Sequence, residues 1–113
     1  MDIEGTNINM IRGDSQVITV SCKDSNGIVI PFETGDTIYF TVKTSVYSEP
    51  KIMQKVITEF VDGNAIINIA PIDTKLLDFR CYYYDVQFSK TDGTVTTIIK
   101  PSKFNIEGEI TYE

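Results

Sequence analysis

Residues suited to catalysis are scarce in this chain. Among its 113 residues there is no histidine, which removes the commonest general base, the commonest metal ligand and every Ser–His or Cys–His pair. Paired carboxylates remain as a catalytic or calcium-binding option, and four of them adjoin glycines: Asp14, Asp36, Asp62 and Asp92. Aspartate beside glycine is ordinary turn chemistry, however, and no Gly-rich phosphate loop or calcium-binding loop accompanies these residues. The sequence therefore predicts a protein that is not an enzyme and that holds no cofactor or metal.

The two cysteines lack the C-x-x-C spacing of redox and zinc sites. Cys22 shares the strand phase of Ile18 and Val20, whereas Cys81 has the phase opposite to that of Tyr82. Alternate residues of a strand point to opposite faces, so one thiol is predicted to point inward and the other outward, with no disulfide between them. Two reduced thiols suit a protein made in a reducing cytoplasm.

The stretch from residue 81 to residue 88 alternates strictly between two sets of side chains. The set predicted to be buried is Tyr82, Tyr84, Val86 and Phe88, and the set predicted to face outward is Cys81, Tyr83, Asp85 and Gln87. Asp92-Gly93 then predicts a tight turn. The segment 95–99, rich in Thr, Val and Ile, should return as the antiparallel partner of this strand.

We expect a protein-contact patch on the outward face of this hairpin. Tyr83 and Asp85 lie on that face, beside a partner strand that offers either Ile98 or Ile99. The apolar area of this aromatic and aliphatic patch is larger than a sheet face in contact with water alone requires. Tyr83, Asp85 and Ile98 are therefore the candidate site residues. In the alternative, the chain's own terminal segment, Phe104 to Tyr112, covers this face.

The elements that must position these residues are predicted to be short strands separated by turns. Besides the hairpin, the predicted strands cover 6–11, 16–22, 28–30, 37–44, 52–60 and 65–69. The segment 100–103 interrupts the extended pattern after the hairpin, and one or two short strands are expected beyond it. Asp73-Thr74 predicts a turn that leads into a single helical turn before residue 81.

The phase of the segment 52–60 is ambiguous, because two apolar sets compete and their spacing also suits a helix. These sets are Ile52, Val56 and Phe60 against Met53 and Ile57. The β-branched content and the turn signal Asp62-Gly63-Asn64 favour a strand with a bulge.

Short strands with turn signals about every ten residues predict an all-β fold. We expect an immunoglobulin-like antiparallel β-sandwich of seven to nine short strands that forms a single domain over residues 1–113. Ten Lys and Arg against 16 Asp and Glu give a net charge of −6, which disfavours nucleic-acid binding. No apolar run approaches the roughly 20 residues that span a membrane, so no membrane association is expected.

Several of these motifs together resemble the N-terminal domain of phage upper baseplate proteins. They are Gly13-Asp14, Asp24 to Gly27 with Ile30-Pro31-Phe32, Asp36 to Lys43, Ile72 to Thr74 with Leu77, Tyr82 to Val86, and Asp92-Gly93 with Thr97-Ile98. The resemblance covers nearly the whole chain. It implies an immunoglobulin-like module of the virion tail, made in the bacterial cytoplasm, that attaches host-recognition proteins to the tail core. The expected partners are other tail proteins, with homo-oligomers left open.

Two other kinds of protein share the predicted fold. A bacterial cell-surface adhesion module is the first. A carbohydrate-binding module is the second, and its sugar platform would use exposed aromatic side chains, for which Tyr39, Tyr47 and Tyr83 are the candidates.

Overall fold

The computed structural model describes residues 2–4, 6–47 and 50–108, which fold mostly as β-strands. The strands are β1 (Asp2–Glu4), β2 (Asn7–Ile11), β3 (Gln16–Val20), β4 (Cys22–Lys23), β5 (Val29–Ile30), β6 (Thr37–Lys43), β7 (Met53–Ile57), β8 (Ala65–Ile69), β9 (Cys81–Ser89) and β10 (Val95–Glu107). A short helix, α1 (Pro71–Lys75), lies between β8 and β9. The predicted all-β class is confirmed. Within the described residues, no helix has the length and apolar character needed to span a membrane.

Six strands form one large sheet in the order β1-β2-β10-β9-β6-β7, and this sheet curls into a half-barrel. Two smaller antiparallel sheets pair β3 with β8 and β4 with β5. In the large sheet β2 and β10 run parallel, with Ile8 opposite Phe104. The expectation of purely antiparallel sheets is therefore wrong at this pair. A period-two pattern specifies which side chains face inward, but it does not specify the direction of the neighbouring strand.

A single apolar cluster joins the inward faces of the large sheet and of the β3–β8 pair. On β6, Ile38, Phe40 and Val42 are each 0% exposed. The other strands bury Ile8, Met10, Ile18, Val20, Met53, Ala65, Ile67, Ile69, Tyr82, Tyr84, Val86, Phe88, Phe104 and Ile106, with Phe32 from a loop. Burying each large apolar side chain contributes about 1.5–3 kcal/mol, so this shared core holds the two sheets together.

The alternation predicted for β9 is confirmed along its whole length. Buried residues from Tyr82 to Phe88 alternate with half-buried ones from Cys81 to Ser89. β9 pairs with β6 on one side and with β10 on the other. The Asp92-Gly93 turn is also confirmed, since the Asp92 carboxylate accepts the Thr94 N–H at 2.8 Å.

The segment 52–60 forms a strand, but it is shorter and more regular than predicted. β7 pairs with β6 in an unbroken register, without the expected bulge. Met53 is buried and Ile57 half-buried, whereas Val56 is 51% exposed. Val56 makes the pattern ambiguous because it lies on the outer face of an edge strand, opposite Tyr39.

Residues 95–107 form one strand rather than a hairpin strand followed by separate terminal strands. The register with β9 shifts between Thr97 and Ile99, and again between Ile99 and Ser102. Pro101, which has no N–H to donate, falls within the second irregularity. The predicted interruption at 100–103 is therefore wrong, because an irregular register keeps the strand continuous across the proline.

The predicted strand 16–22 is split at Ser21. β3 pairs with β8, and its last residue, Val20, lies opposite Ala65, the first residue of β8. Beyond that point β8 offers no partner, so Cys22 pairs with Ile30 in a separate sheet. The alternation of apolar and polar residues continues across Ser21, so the sequence does not show that the chain changes its partner strand there.

An ion pair links the edge of the large sheet to α1. Lys55 Nζ lies 2.7 Å from Asp73 Oδ2, and the same oxygen accepts the Ala70 N–H at 2.7 Å. Burial alone would raise the pKa of Asp73, but the hydrogen bonds from Lys55 and Ala70 outweigh it and hold that pKa below its ordinary value of 3.8. The resulting stability is present above the ordinary pKa and is lost as the pH falls through the lowered one.

Candidate functional site

Strand register places Tyr83 and Asp85 on the outer face of the large sheet. Tyr83 lies opposite Lys43 on β6 and opposite Lys103 on β10, and Asp85 lies opposite Thr41. Both residues are half-buried, whereas their neighbours along β9 belong to the core. The outward phase predicted for Tyr83 and Asp85 is confirmed.

Tyr83 and Asp85 line a surface depression of about 70 Å³. Its other lining residues are Thr41, Lys43, Ser45, Val46, Tyr84 and Pro101. Three segments distant in sequence thus meet here: the end of β6 with the loop that follows it, the middle of β9, and the irregular part of β10. Small-molecule sites usually occupy about 300–1,000 Å³, so this depression is smaller than such sites usually are.

Two exposed apolar or aromatic side chains lie in the loop beside this depression. Val46 is 51% exposed, and Tyr47, the next residue, is 93% exposed. Tyrosine is enriched at the centres of protein interfaces, because its ring supplies a large contact area at a low cost in side-chain entropy. The outer-face patch, defined here as Val46, Tyr47, Tyr83, Asp85 and Pro101, therefore combines exposed apolar area with one carboxylate.

The environment of Asp85, a member of the outer-face patch, shifts the pKa of its carboxyl group. Burial raises its pKa, and the positive charge of Lys43 partly opposes this rise. A raised folded-state pKa means that ionising Asp85 costs stability as the pH rises through the ordinary value for an aspartate. A hydrogen-bond donor or a cation placed beside Asp85 would relieve that cost.

Ile98 does not join this site. Both Ile98 and Ile99 pack against the apolar core. The register shift lies between Thr97 and Ile99, and Ile99 is paired with Val86. A bulge sets two residues of one strand opposite one residue of the other, which allows both isoleucines to contact the core. The sequence pattern predicted that either Ile98 or Ile99 lies on the outer face, because alternation alone cannot reveal a bulge.

In its described part, residues 104–108, the terminal segment does not cover the outer face in the way that the alternative required. Phe104 is 0% exposed and Ile106 is 3% exposed, and both belong to the core. Ile110 and Tyr112, the remaining apolar residues of that segment, lie outside the described residues. Over the described part of β10, this segment is thus a strand of the sheet rather than a cover over it.

The four turn aspartates are not all at the same end of the strands, although Asp36, Asp62 and Asp92 lie in loops at one end. Asp36 and Asp92 each accept a backbone N–H of their own turn, and Asp62 adopts a left-handed conformation with φ 51°. Asp14 lies at the other end of the strands, where its N–H donates to the Ile11 carbonyl at 3.2 Å. In the described parts of the chain, no group of three or more His, Cys, Asp or Glu residues is arranged to hold a metal ion.

Both cysteines are free, as expected from their strand phases. Cys22 packs against the core, and Cys81 is half-buried on β9. The Cys81 thiol donates to the Tyr82 carbonyl at 3.4 Å.

Tyr39 and Tyr83, two of the three tyrosines proposed as a sugar platform, are not side by side. Tyr39 lies opposite Gln87, whereas Tyr83 lies opposite Lys43, four residues further along β6 and about 13 Å away at the usual rise of a strand. Tyr47 belongs to the loop after β6. Stacking on one sugar ring would require closer aromatic neighbours than Tyr39 and Tyr83 provide.

Sequence reasoning considered Tyr47 only for a sugar platform, and it missed two further members of the outer-face patch, Val46 and Pro101. Both lie in segments without a regular period, and their proximity to Tyr83 follows from strand pairing rather than from sequence spacing. The only local signal was that the loop after β6 has the composition of an exposed segment.

Neither a protein-family model, nor a curated protein, nor a solved structure matches the chain.

Proposed function

We propose that this protein is a non-catalytic module with an immunoglobulin-like sandwich fold that binds another protein through the outer-face patch. The observation that carries the proposal is the grouping of Val46 and Pro101 around the depression beside Tyr83 and Asp85, with the exposed Tyr47 next to Val46 in the chain. An apolar surface of this kind with a polar rim is typical of protein contact sites.

The order of strands supports the immunoglobulin-like part of the proposal. In such sandwiches strands B and E share one sheet, strands G, F and C share the other, and variable-type domains add C′ beside C. Here β3 pairs with β8, and the large sheet contains the order β10-β9-β6-β7. Assigning β3, β6, β7, β8, β9 and β10 to strands B, C, C′, E, F and G reproduces both the pairing and the chain order.

A hydrogen bond at the start of β9 supports the same assignment. The Tyr82 hydroxyl donates to the Asp78 carbonyl at 3.2 Å, four residues upstream. A tyrosine near the start of strand F that bonds back to the preceding backbone is the tyrosine corner of immunoglobulin-like domains.

The edges of the large sheet favour contact through its face. The edge strand β7 carries Lys55 on its inward side, opposite Phe40, and the Lys55 ammonium forms an ion pair with the Asp73 carboxylate. The other edge strand, β1, contains Asp2 and Glu4. Charged residues on edge strands discourage pairing with a strand of another chain. Contact through side chains of the outer face does not require such strand pairing.

The biological setting that we propose is a phage tail. This part of the proposal depends on the turn and strand motifs that resemble the N-terminal domain of upper baseplate proteins. In that setting the partner is another tail protein or a second copy of this chain. A rigid β-module with an exposed aromatic patch is suited to joining such components.

Two matched variants test the proposed contact. Tyr83→Glu places a charge in the outer-face patch, and Val17→Glu places the same charge on the exposed side of β3, where Val17 is 58% exposed. Light scattering over a range of concentrations, and capture of tail proteins from a phage lysate, should show an interaction that Tyr83→Glu removes and Val17→Glu retains. An unpaired charge in a desolvated contact costs several kcal/mol. Equal binding by both variants, each shown to be folded, would contradict the proposal.

A further inference from the structure

A second concave surface lies away from the outer-face patch, where the loops 31–36 and 58–64 meet. It is an open cleft of about 540 Å³ lined by Phe32, Thr34, Thr58, Glu59, Phe60 and Gly63. The Phe32 N–H donates to the Gly63 carbonyl at 3.0 Å, which joins the two loops directly. The cleft is therefore supported by backbone contacts and does not depend on the packing of side chains alone.

The aromatic wall of the cleft is anchored in the core. Phe32 meets Phe88 edge-on, with ring centroids 4.9 Å apart, and its other neighbour is Phe60 at 5.2 Å. Phe32 is 4% exposed, whereas Phe60 is only partly buried. Phe60 is thus the outermost of three rings in contact, supported by Phe32 on its inner side and accessible from the cleft.

The loops around the cleft are strongly acidic. The segments 31–36, 58–64 and 90–94 together contain five acids, Glu33, Asp36, Glu59, Asp62 and Asp92, against one base, Lys90. The Lys90 ammonium lies 5.7 Å from the centroid of the Phe88 ring, so this base already has an aromatic contact. The charge around the cleft is complementary to a cation.

We propose that this cleft receives a lysine or arginine side chain of a protein partner. The face of Phe60 attracts a cation, the Glu59 carboxylate accepts its N–H donors, and the hydroxyls of Thr34 and Thr58 offer further acceptors. A planar guanidinium uses the ring and the carboxylate together, so arginine should bind more tightly than lysine.

The test is an amide NMR titration of the labelled protein with a capped Gly-Arg-Gly peptide. A capped Gly-citrulline-Gly peptide of the same shape, but without the charge, is the ligand control. Shifts should concentrate at residues 32–34 and 58–63, with clearly weaker binding of the citrulline peptide. Glu59→Gln and Phe60→Leu should each weaken binding about three- to fivefold.

Glu33→Gln is the matched protein control, because it removes the same charge from the neighbouring loop without changing a residue that lines the cleft. It should weaken binding less than twofold. Equal weakening by Glu33→Gln and Glu59→Gln would show general attraction to an acidic surface and would overturn the proposal. Equal binding of the citrulline peptide, shifts centred on Tyr83, or no shifts at millimolar peptide would also overturn it. Thermal melts establish that each variant is folded, and Glu59→Gln tests the proposal even if Phe60→Leu unfolds.

Discussion

Replacing Tyr84 and Tyr83 in parallel tests the packing that positions the outer-face patch. Tyr84 is 4% exposed, with its ring 5.2 Å from that of Phe40 and 6.2 Å from that of Phe104. Its hydroxyl donates to the Thr6 carbonyl. Tyr84→Ala should destabilise the protein by about 3–5 kcal/mol, as truncation of a buried aromatic residue does. Tyr83→Ala should cost about 1 kcal/mol or less, because that side chain lies outside the core.

Tyr84→Phe separates the hydroxyl from the ring. It retains the aromatic contacts and loses one hydrogen bond, so it should cost about 0.5–1.5 kcal/mol. Burial raises the pKa of Tyr84 from 10.0 to about 12. The folded state therefore keeps this proton longer than the unfolded chain does, and wild-type stability should fall as the pH rises from 10 to about 12. Tyr84→Phe should lack this alkaline component.

Urea unfolding of the wild type and the three variants, at neutral and alkaline pH, measures these differences. Equal destabilisation by Tyr83→Ala and Tyr84→Ala would refute the assignment of the two faces of β9. The same alkaline loss in Tyr84→Phe as in the wild type would show that Tyr84 is not the group that resists ionisation.

Two further predictions concern the connections at the ends of the strands. Lys55→Met should lower the free energy of unfolding by about 1 kcal/mol at neutral pH. It should also reduce the loss of stability on acidification below pH 3.8, because the ammonium would no longer lower the pKa of Asp73. Urea melts across this pH range measure both effects, and an unchanged acid profile would contradict the prediction. Gly63→Ala should destabilise the protein more than Gly93→Ala does. Both glycines have positive φ, but of the two only Gly63 would place its new Cβ against another side chain, 2.5 Å from Pro31 Cβ. Equal shifts of the melting temperature for the two variants would contradict this packing.

The parts of the fold that the sequence predicted well are those governed by local alternation. β6 and β9 lie in the middle of the large sheet with one face in the core, so burial imposes a strict period of two on their sequences. β7 was harder to predict because it is an edge strand whose outer face carries the exposed Val56. The parallel pairing of β2 with β10 was not predictable from alternation, because the choice of neighbour depends on residues distant in the chain.

The candidate site shows the same division. The phase of β9 correctly predicted that Tyr83 and Asp85 face outward, because that property is local. Ile98 was misplaced because a bulge in β10 interrupts the alternation. Val46 and Pro101 were missed because only the pairing of β6, β9 and β10 brings them to Tyr83.

In the proposed setting of a phage tail, site-specific photo-crosslinking in assembled particles tests the central claim most directly. A photoreactive phenylalanine analogue would replace Tyr47, which is 93% exposed beside the depression, and in a separate protein it would replace Val17 on the other sheet. If the outer-face patch binds another protein, the analogue at position 47 should cross-link to one defined tail protein or to a second copy of this chain, and the analogue at position 17 should not. Cross-linking from position 17 but not from position 47, or from neither position, would contradict it.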